Sequence, residues 1–221
     1  DMLVPAIAAD GWDDLHALCA AGSGLHPAYG LHPLYLDRHR DEDLDALRDW
    51  LSSHPASAVG ECGLDFHAPG ADRERQSEFL RAQLLLARRF DLPVVLHARG
   101  AFERIILELR GFMERHGPLR GVVHSFSGSH EQARQLWKLG FHIGIGGPVT
   151  YERARRLRAL VATMPIQYLL LETDAPDQPD AAHRGGRNEP ARLLGVLHCI
   201  AQLRGEPADA SAAAQHPPAC S

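Results

Sequence analysis

The stretch that decides the fold is "PIQYLLLETDAPDQP", residues 165–179, in which a mostly apolar run leads straight into two carboxylates. A buried strand often ends in turn residues, so one aspartate at this point needs no special explanation. Glu172 and Asp174 are two residues apart, and if the strand continues through them, both side chains point to the same face. Two like charges so close need a cation, a shared proton or open water. The stretch therefore predicts a buried strand with a polar site at its end.

Short apolar runs of the same kind recur along the chain and alternate with longer amphipathic segments. Seven runs are typical of strands: "MLVPAIAA", "AYGLHP", "SAVGECG", "LPVVLHAR", "RGVVHSF", "GFHIGIGG" and "IQYLLLETD". Helical patterns are predicted between and after them, at 41–53, 73–90, 101–116, 129–139, 150–163 and about 189–204. This alternation predicts parallel strands joined by right-handed crossovers.

One of these helices carries clear signals at both ends. Ser129 precedes its first turn, Gln132 follows three residues later as in a capping box, and Gly140 stands where a helix stops. We therefore expect the helix at 129–139 to begin and end at these residues.

A parallel α/β chain leaves two main architectures, a doubly wound sheet and a closed (β/α)8 barrel. Four polar residues follow the apolar runs at equivalent points: Glu61, His97, His124 and Asp174. In a doubly wound sheet the functional residues cluster around one switch point, whereas every strand end of a barrel faces the same mouth. The spread over four strand ends favours a (β/α)8 TIM barrel. We expect a single domain over residues 1–205 and the four side chains to converge on one cavity.

Composition limits the classes of protein. The 221 residues are 45% hydrophobic and 23% charged, as in ordinary globular proteins, and the net charge is −5. Such a charge argues against a protein that mainly coats nucleic acid, but it does not exclude an enzyme that acts on phosphates. No apolar run is long enough for a membrane span, and the N-terminal residues do not resemble a signal peptide. The four cysteines show neither zinc spacing nor a disulfide pattern, so a reducing cytoplasm is expected.

Each strand-end residue also has a simple structural explanation. A single histidine after a strand is usually a hydrogen-bonded loop or core residue, and an aspartate can form an Asx-turn. That reading is expected for five other histidines: His26, His54, His116, His130 and His198. Four independent structural roles would not align at successive strand ends, however, so together the four favour a metal site. Imidazole with carboxylate and no thiolate suits Mg²⁺, Mn²⁺ or Zn²⁺, and Glu172 is expected to orient a ligand.

Longer motifs carry a resemblance to a known family. The stretches "VGECGLDF", "RQSEFLRAQLLLARRFDLPVVLHAR", "GVVHSFSGS", "LLLETDAPDQP" and "RNEP" closely resemble the TatD family of metal-dependent deoxyribonucleases, over roughly residues 3–205. The resemblance implies an amidohydrolase-type (β/α)8 barrel that cleaves DNA and binds two divalent metals. It implies that Glu61 bridges the metals, that His97 and His124 bind one, and that Asp174 binds the other. Glu61 and Asp174 are the residues expected to act in catalysis.

The same resemblance implies residues that contact the substrate. His32 in "GLHP" and Arg99 are expected at the mouth where the nucleic acid lies, and Arg187 in "RNEP" is expected to contact phosphate. Asn188 is expected to shape the last loop. No membrane and no obligate protein partner are expected.

Three departures from the family pattern change the expectation. The family begins with a strand that carries a His-x-His pair, and none precedes "DMLVPAIAAD", so the first strand of the barrel is expected to be missing. Gly100 stands where the family usually has aspartate. Residues 206–221 are expected to be a divergent or truncated tail, because a helix cannot continue through Pro217 and Pro218. A chain that truly starts at Asp1 is expected to bind one metal well and to be a poor nuclease.

Two other classes of function stay open at this point. A related barrel hydrolase could use the same metals on an amide, ester or lactone, and it would have a closed apolar pocket in place of arginines at the mouth. A binding remnant could retain the fold without the chemistry, and the missing His-x-His pair favours it.

Overall fold

A computed structural model describes residues 1–67 and 70–213. The chain divides into two compact units, residues 1–123 and the residues from 124 onward. Both are built from parallel strands with helices between them. The expected single domain over residues 1–205 stays a prediction.

The first unit contains five of the predicted parallel strands, each paired with the next along the chain. They are β1 (Met2–Pro5), β2 (Leu25–Tyr29), β3 (Ala58–Asp65), β4 (Val94–Arg99) and β5 (Gly121–Val123). The helices between them are α1 (Trp12–Ala21), α2 (Asp41–Ser53), α3 (Arg73–Arg89) and α4 (Phe102–His116). Short 3-10 turns lie at Ala9–Gly11 and Pro33–Arg38. Parallel neighbours require such crossover connections, so the alternation predicted from the sequence is confirmed.

The second unit contains the other two predicted strands, β6 (Phe141–Ile145) and β7 (Leu169–Leu171), which pair in parallel. Its helices are α5 (His130–Lys138), α6 (Arg155–Thr163), α7 (Leu193–Arg204) and α8 (Ala208–Ala213). Four 3-10 turns connect them, at Gly147–Thr150, Ile166–Tyr168, Ala181–His183 and Pro190–Arg192. Pro217 and Pro218 lie outside the described residues.

Strand β3 is the centre of the first unit. All eight of its residues are buried, which is typical of a parallel strand covered on both faces. Helix α3 supplies Phe79, Leu80 and Leu84 to the core at the helical spacing, and α4 supplies further apolar side chains at the same period. Burial on both faces fixes the position of β3 and of any polar side chain at its end.

The helix signals at Ser129 are confirmed in detail. The Ser129 hydroxyl accepts a bond from the Gln132 amide at 3.2 Å, and the Ser129 amide donates to the Gln132 side chain at 2.8 Å. Gly140 follows the helix with φ +87°, a conformation that favours glycine.

The clearest differences from the prediction are two shifted boundaries and one helix that was not predicted. Strand β2 covers residues 25–29 rather than 28–33, because the chain turns after Tyr29 and starts a 3-10 turn at Pro33. Helix α6 begins at Arg155 rather than near 150, since Gly147–Thr150 forms its own turn. Helix α1 was not predicted, because it buries only Trp12 and Leu15 and its apolar pattern is weak.

The described cysteines, Cys19, Cys62 and Cys199, are free thiols. Cys220 lies outside the described residues. Among the described helices, none combines the length and the apolar character that a membrane crossing needs.

A glycine allows β3 and β4 to approach each other next to the site. Gly63 pairs with His97, has φ +144°, and a Cβ at this position would lie 2.1 Å from the His97 carbonyl oxygen. Any other residue would meet backbone that cannot move without disturbing the strand.

We expect Gly63→Ala to lower the free energy of unfolding by about 1–3 kcal/mol or more, from backbone strain and overpacking. Urea denaturation followed by circular dichroism measures this change. Gly11→Ala is the matched control, because nothing lies within 4 Å of a Cβ there. Equal midpoints for the two variants would contradict the argument.

Candidate metal centre

The carboxyl half of β3 carries two acidic side chains. Glu61 is 7% exposed and Asp65 is completely buried. Because β3 and β4 are parallel and in register from Gly63 opposite His97 to Asp65 opposite Arg99, the carboxyl ends of both strands lie at the same edge. The sequence pattern thus brings carboxylates and imidazole together in the first unit.

Three side chains meet at the Glu61 carboxylate. The distance from Glu61 Oε1 to His97 Nδ1 is 3.1 Å, and from Glu61 Oε1 to His32 Nε2 it is 2.9 Å. The two imidazole rings are 4.5 Å apart. One ligand atom from each of the three residues lies within 4.8 Å of the others, which makes them a candidate metal-binding group.

Asp65 holds the His97 ring from the opposite side. Asp65 Oδ2 lies 3.0 Å from His97 Nε2, and Asp65 Oδ1 accepts a bond from the His67 amide at 2.9 Å. His97 thus lies between two carboxylates, and in a neutral ring that binds a metal through Nδ1 the proton is on Nε2 and is donated to Asp65. Histidines that bind metals are usually held by a carboxylate in this way.

In that tautomer two acceptors face each other. With its proton on Nε2, neutral His97 directs the Nδ1 lone pair toward Glu61 Oε1 at 3.1 Å. Such a contact requires a cation or an extra proton between the atoms. Two neighbouring ligands at ~2.0–2.1 Å from an octahedral ion lie about 3 Å apart. Glu61 and His97 therefore fit a divalent ion.

His32 has a different role, because of its other ring nitrogen. His32 Nδ1 accepts a hydrogen bond from the Leu34 amide at 3.0 Å, so the proton of the neutral ring is on Nε2. His32 then donates that proton to Glu61 and holds the carboxylate in place. In this tautomer His32 supports Glu61 and has no lone pair for a metal.

Two glutamines of α3 fix the chain on either side of the group. Gln76 accepts from the Asp65 amide at 2.8 Å and donates to the Asp65 carbonyl at 2.9 Å. Gln83 accepts from the Leu31 amide at 2.8 Å and donates to the Leu31 carbonyl at 3.2 Å. Both glutamines are buried and seven residues apart on one face of the helix. The backbone before His32 and at Asp65 is therefore held by one helix.

The neighbouring thiol does not belong to the group. Cys62 is fully buried with Sγ 3.8 Å from the Val95 carbonyl oxygen. Burial, and to a lesser extent the charge of Glu61, raise the pKa of the Cys62 thiol far above its usual range. It remains a neutral thiol, which is a poor metal ligand.

Within the second unit, His124 and Asp174 belong to one group of polar residues. His124 Nδ1 lies 3.9 Å from Asp174 Oδ1. The Gln178 side-chain amide donates to both Asp174 Oδ2 and the Ser125 hydroxyl. Ser125 follows His124 directly, so the same amide connects the aspartate with the chain that carries the histidine.

The expected arrangement of Glu172 and Asp174 is wrong. Strand β7 ends at Leu171, and Asp174 has φ +56°, so the two carboxylates do not alternate along one continuous strand. Glu172 instead accepts a bond from the Ser125 amide at 2.5 Å. Its carboxylate lies where Gly144 has no side chain, since a Cβ there would be 2.3 Å from Glu172 Oε2.

The other predicted site residues are more exposed. Arg99 has 58% of its side chain exposed and lies 3.8 Å from Asp65 through Nη1, and Arg187 is exposed. Asn188 is buried and donates to the carbonyls of Thr173 at 2.6 Å and Asp177 at 2.8 Å, so it closes the loop after β7.

Several histidines expected to be structural stack on aromatic rings. His54 stacks on Trp50 at 3.7 Å between ring centroids, and His116 packs on Phe112 at 4.6 Å. The sequence reasoning missed Asp65, although a signal for it existed. In "GECGLD" the strand period of two places Glu61 and Asp65 on the same face.

Histidines and carboxylates at the carboxyl ends of parallel strands are typical of metal-dependent hydrolases. The described geometry places the protein in this class. More particularly, the chain belongs to the TatD family, since the family pattern described as "TatD related DNase" matches residues 1–216. The expected family membership is confirmed.

Curated relatives support the class. The chain is 43% identical over 211 residues to an uncharacterized metal-dependent hydrolase, YjjV of Escherichia coli K12, with 94% of this chain and 80% of the relative covered. It is 37% identical over 200 residues to a protein of Erwinia tasmaniensis named 3'-5' ssDNA/RNA exonuclease TatD, with 85% and 76% covered.

A solved structure shows the same fold. The crystal structure of the Escherichia coli TatD homologue YjjV matches with a TM-score of 0.91 and 40% identity, over 96% of this chain and 82% of that one. The expected α/β fold of this family is confirmed.

We expect Asp65→Asn to weaken binding of Mn²⁺ by about 10–100-fold, because the neutral amide no longer fixes the His97 tautomer or increases its basicity. Isothermal titration calorimetry of the metal-stripped protein measures this change. Asp91→Asn is the control, since Asp91 is exposed and paired with Arg120. Equal affinities for the two variants would show that Asp65 does not orient the ligand.

Proposed function

We propose that the protein hydrolyses the phosphodiester bonds of nucleic acid, with DNA as the first candidate substrate. The observation that supports the proposal is the His97 ring between two buried carboxylates, with Nδ1 3.1 Å from Glu61 Oε1 and Nε2 3.0 Å from Asp65 Oδ2. Such a contact fits a divalent cation, and a relative with this family's sequence pattern is named an exonuclease. The proposed reaction adds water to phosphorus, breaks one P–O bond, and leaves a phosphate monoester and a hydroxyl group.

The proposal assigns metal ligands in both units. In the first unit they are Glu61 and His97, and in the second they are His124 and Asp174. When bound, a divalent ion (Mg²⁺, Mn²⁺ or Zn²⁺) lowers the pKa of a coordinated water and stabilises negative charge on the phosphoryl oxygens.

The residues of the first unit hold its two ligands in place. Asp65 fixes the His97 ring through Nε2, and His32 donates to Glu61, so both ligand atoms are held before substrate arrives. Arg99, with its side chain largely exposed beside Asp65, is proposed to contact a phosphate of the substrate.

In the second unit, Asp174 is proposed to position the attacking water. The Gln178 amide holds Asp174 Oδ2 and leaves Oδ1 on the side of His124. Glu172 fixes the amide of Ser125 and, through it, the backbone next to His124. The role proposed for Glu172 is therefore to orient a ligand through a bond to the main chain.

The test compares two neighbouring substitutions. We expect Glu61→Ala to reduce cleavage of a labelled single-stranded oligonucleotide by at least about 100-fold, because losing a ligand exceeds the 10–100-fold effect of losing a residue that only orients one. Cys62→Ala should stay within about threefold of the wild type, since the thiol is neutral and points away from the group. Product is measured by gel electrophoresis with Mg²⁺, Mn²⁺ or EDTA.

The same assay distinguishes a nuclease from a barrel hydrolase that acts on esters. A chromogenic carboxylic ester is offered to the wild type under the same conditions. Cleavage of the ester without any cleavage of single-stranded or double-stranded DNA would refute the proposed function, and so would equal DNA cleavage by both variants.

A further inference from the structure

Two loops of the second unit lie against each other. One follows β6 and contains residues 146–154, and the other follows β7 and contains residues 172–189. The Ala181 amide donates to the Thr150 hydroxyl at 2.7 Å, and the Tyr151 hydroxyl donates to the Pro179 carbonyl at 3.1 Å. Loops after the carboxyl ends of parallel strands are where such folds place their binding residues.

The loop after β7 is held at two further points. Asp180 is buried, and its Oδ1 accepts from the His183 amide at 3.0 Å and lies 2.7 Å from His183 Nδ1. Asn188 fixes the other end through the carbonyls of Thr173 and Asp177. The residues between these points, which include Arg184 and Arg187, are therefore presented by a constrained backbone.

Both loops, with the first turn of α6, present exposed arginines. We name this set the basic loop surface; it comprises Arg153, Arg155, Arg156, Arg184 and Arg187. Arg153 also lies over the Tyr151 ring, 5.3 Å from its centroid, and so stays beside the residue that joins the two loops.

The guanidinium groups of this surface differ from those of three paired arginines elsewhere in the chain. Arg48, Arg120 and Arg134 form ion pairs with carboxylates at 2.6, 2.9 and 2.8 Å. Within residues 1–67 and 70–213, no carboxylate forms an ion pair with any arginine of the basic loop surface. Their hydrogen-bond donors are thus available to an anion from outside the chain, and a guanidinium binds phosphate through two parallel bonds.

We propose that the basic loop surface binds the phosphodiester backbone of single-stranded nucleic acid. This inference rests on the proposed function and adds to it a binding surface for the substrate strand, outside the metal ligands. The protein carries a net charge of −5, so a cluster of unpaired cations on two adjoining loops is a local feature and not the result of a basic composition.

The test is binding of a fluorescein-labelled oligothymidylate with phosphorothioate linkages, which resist hydrolysis and keep their charge, measured by fluorescence anisotropy. We expect the variant R153A/R184A/R187A to bind at least tenfold more weakly than the wild type. The slope of log Kd against log[NaCl] should fall by about 2, since each single-strand phosphate contact contributes about 0.7. The control R48A/R120A/R134A removes the same charge from paired arginines and should bind as the wild type does.

Further arms identify the ligand. A neutral methylphosphonate oligothymidylate should not bind the wild type, and inorganic phosphate should compete only at concentrations far above those of the oligonucleotide. Three results would each overturn the inference. They are an equal loss of affinity in both triple variants, binding of the neutral strand by the wild type, and competition by inorganic phosphate at the same concentrations as the oligonucleotide. If R153A/R184A/R187A melts at a lower temperature, R184E replaces it, and a loss larger than that of R134E is required.

The outcome is distinguishable from that of the proposed function. Wild-type protein that cleaves DNA while R153A/R184A/R187A binds and cleaves equally well would refute the basic loop surface alone. Wild-type protein that binds the strand through this surface but cleaves no DNA with any metal would refute the proposed function and leave the binding surface in place.

Discussion

The hydrogen bond between the buried Asp65 carboxylate and His97 Nε2 is the interaction on which the rest of the site depends. In the metal-binding form it holds the proton on Nε2, so that Nδ1 faces Glu61 with its lone pair. Reversing the tautomer would turn Nδ1 into a donor to Glu61, and the pair would become an ordinary hydrogen bond without affinity for a cation. A fully buried residue thus acts on the Glu61–His97 contact through the far side of the imidazole ring.

Burying two carboxylates on either side of one imidazole ring opposes folding, because each loses its hydration. The first unit offsets this effect with hydrogen bonds to His32, His97 and the His67 amide. Hydrogen bonds of this kind often offset only part of the cost of burying a carboxylate. A cation that binds the folded state then adds stability by mass action. The stability of the unit and its affinity for metal are therefore linked properties.

Sequence reasoning predicted the strands and most helices because their signals are local. The apolar runs and the cap at Ser129 depend on neighbours within a few residues. The side-chain directions after Leu171 could not be predicted in this way, since Asp174 takes a left-handed conformation and the loop is closed by Asn188 from fourteen residues further on. Strand alternation could have predicted that Asp65 lies on the same face as Glu61. Its contact with His97 could be known only from the register of β3 with β4. The tautomers of His32 and His97 depend on contacts that no sequence pattern specifies.

The two glutamines of α3 have a consequence for the order in which the site is assembled. Gln76 holds the backbone of Asp65, and Gln83 holds the backbone just before His32, so neither loop has its final hydrogen bonds until α3 has docked. Strand pairing alone can bring Glu61 near His97, yet it leaves the imidazole rings free to rotate. High metal affinity should therefore appear during refolding only when α3 packs against the strands. Measuring metal affinity over the time of refolding would then date this last step of core formation.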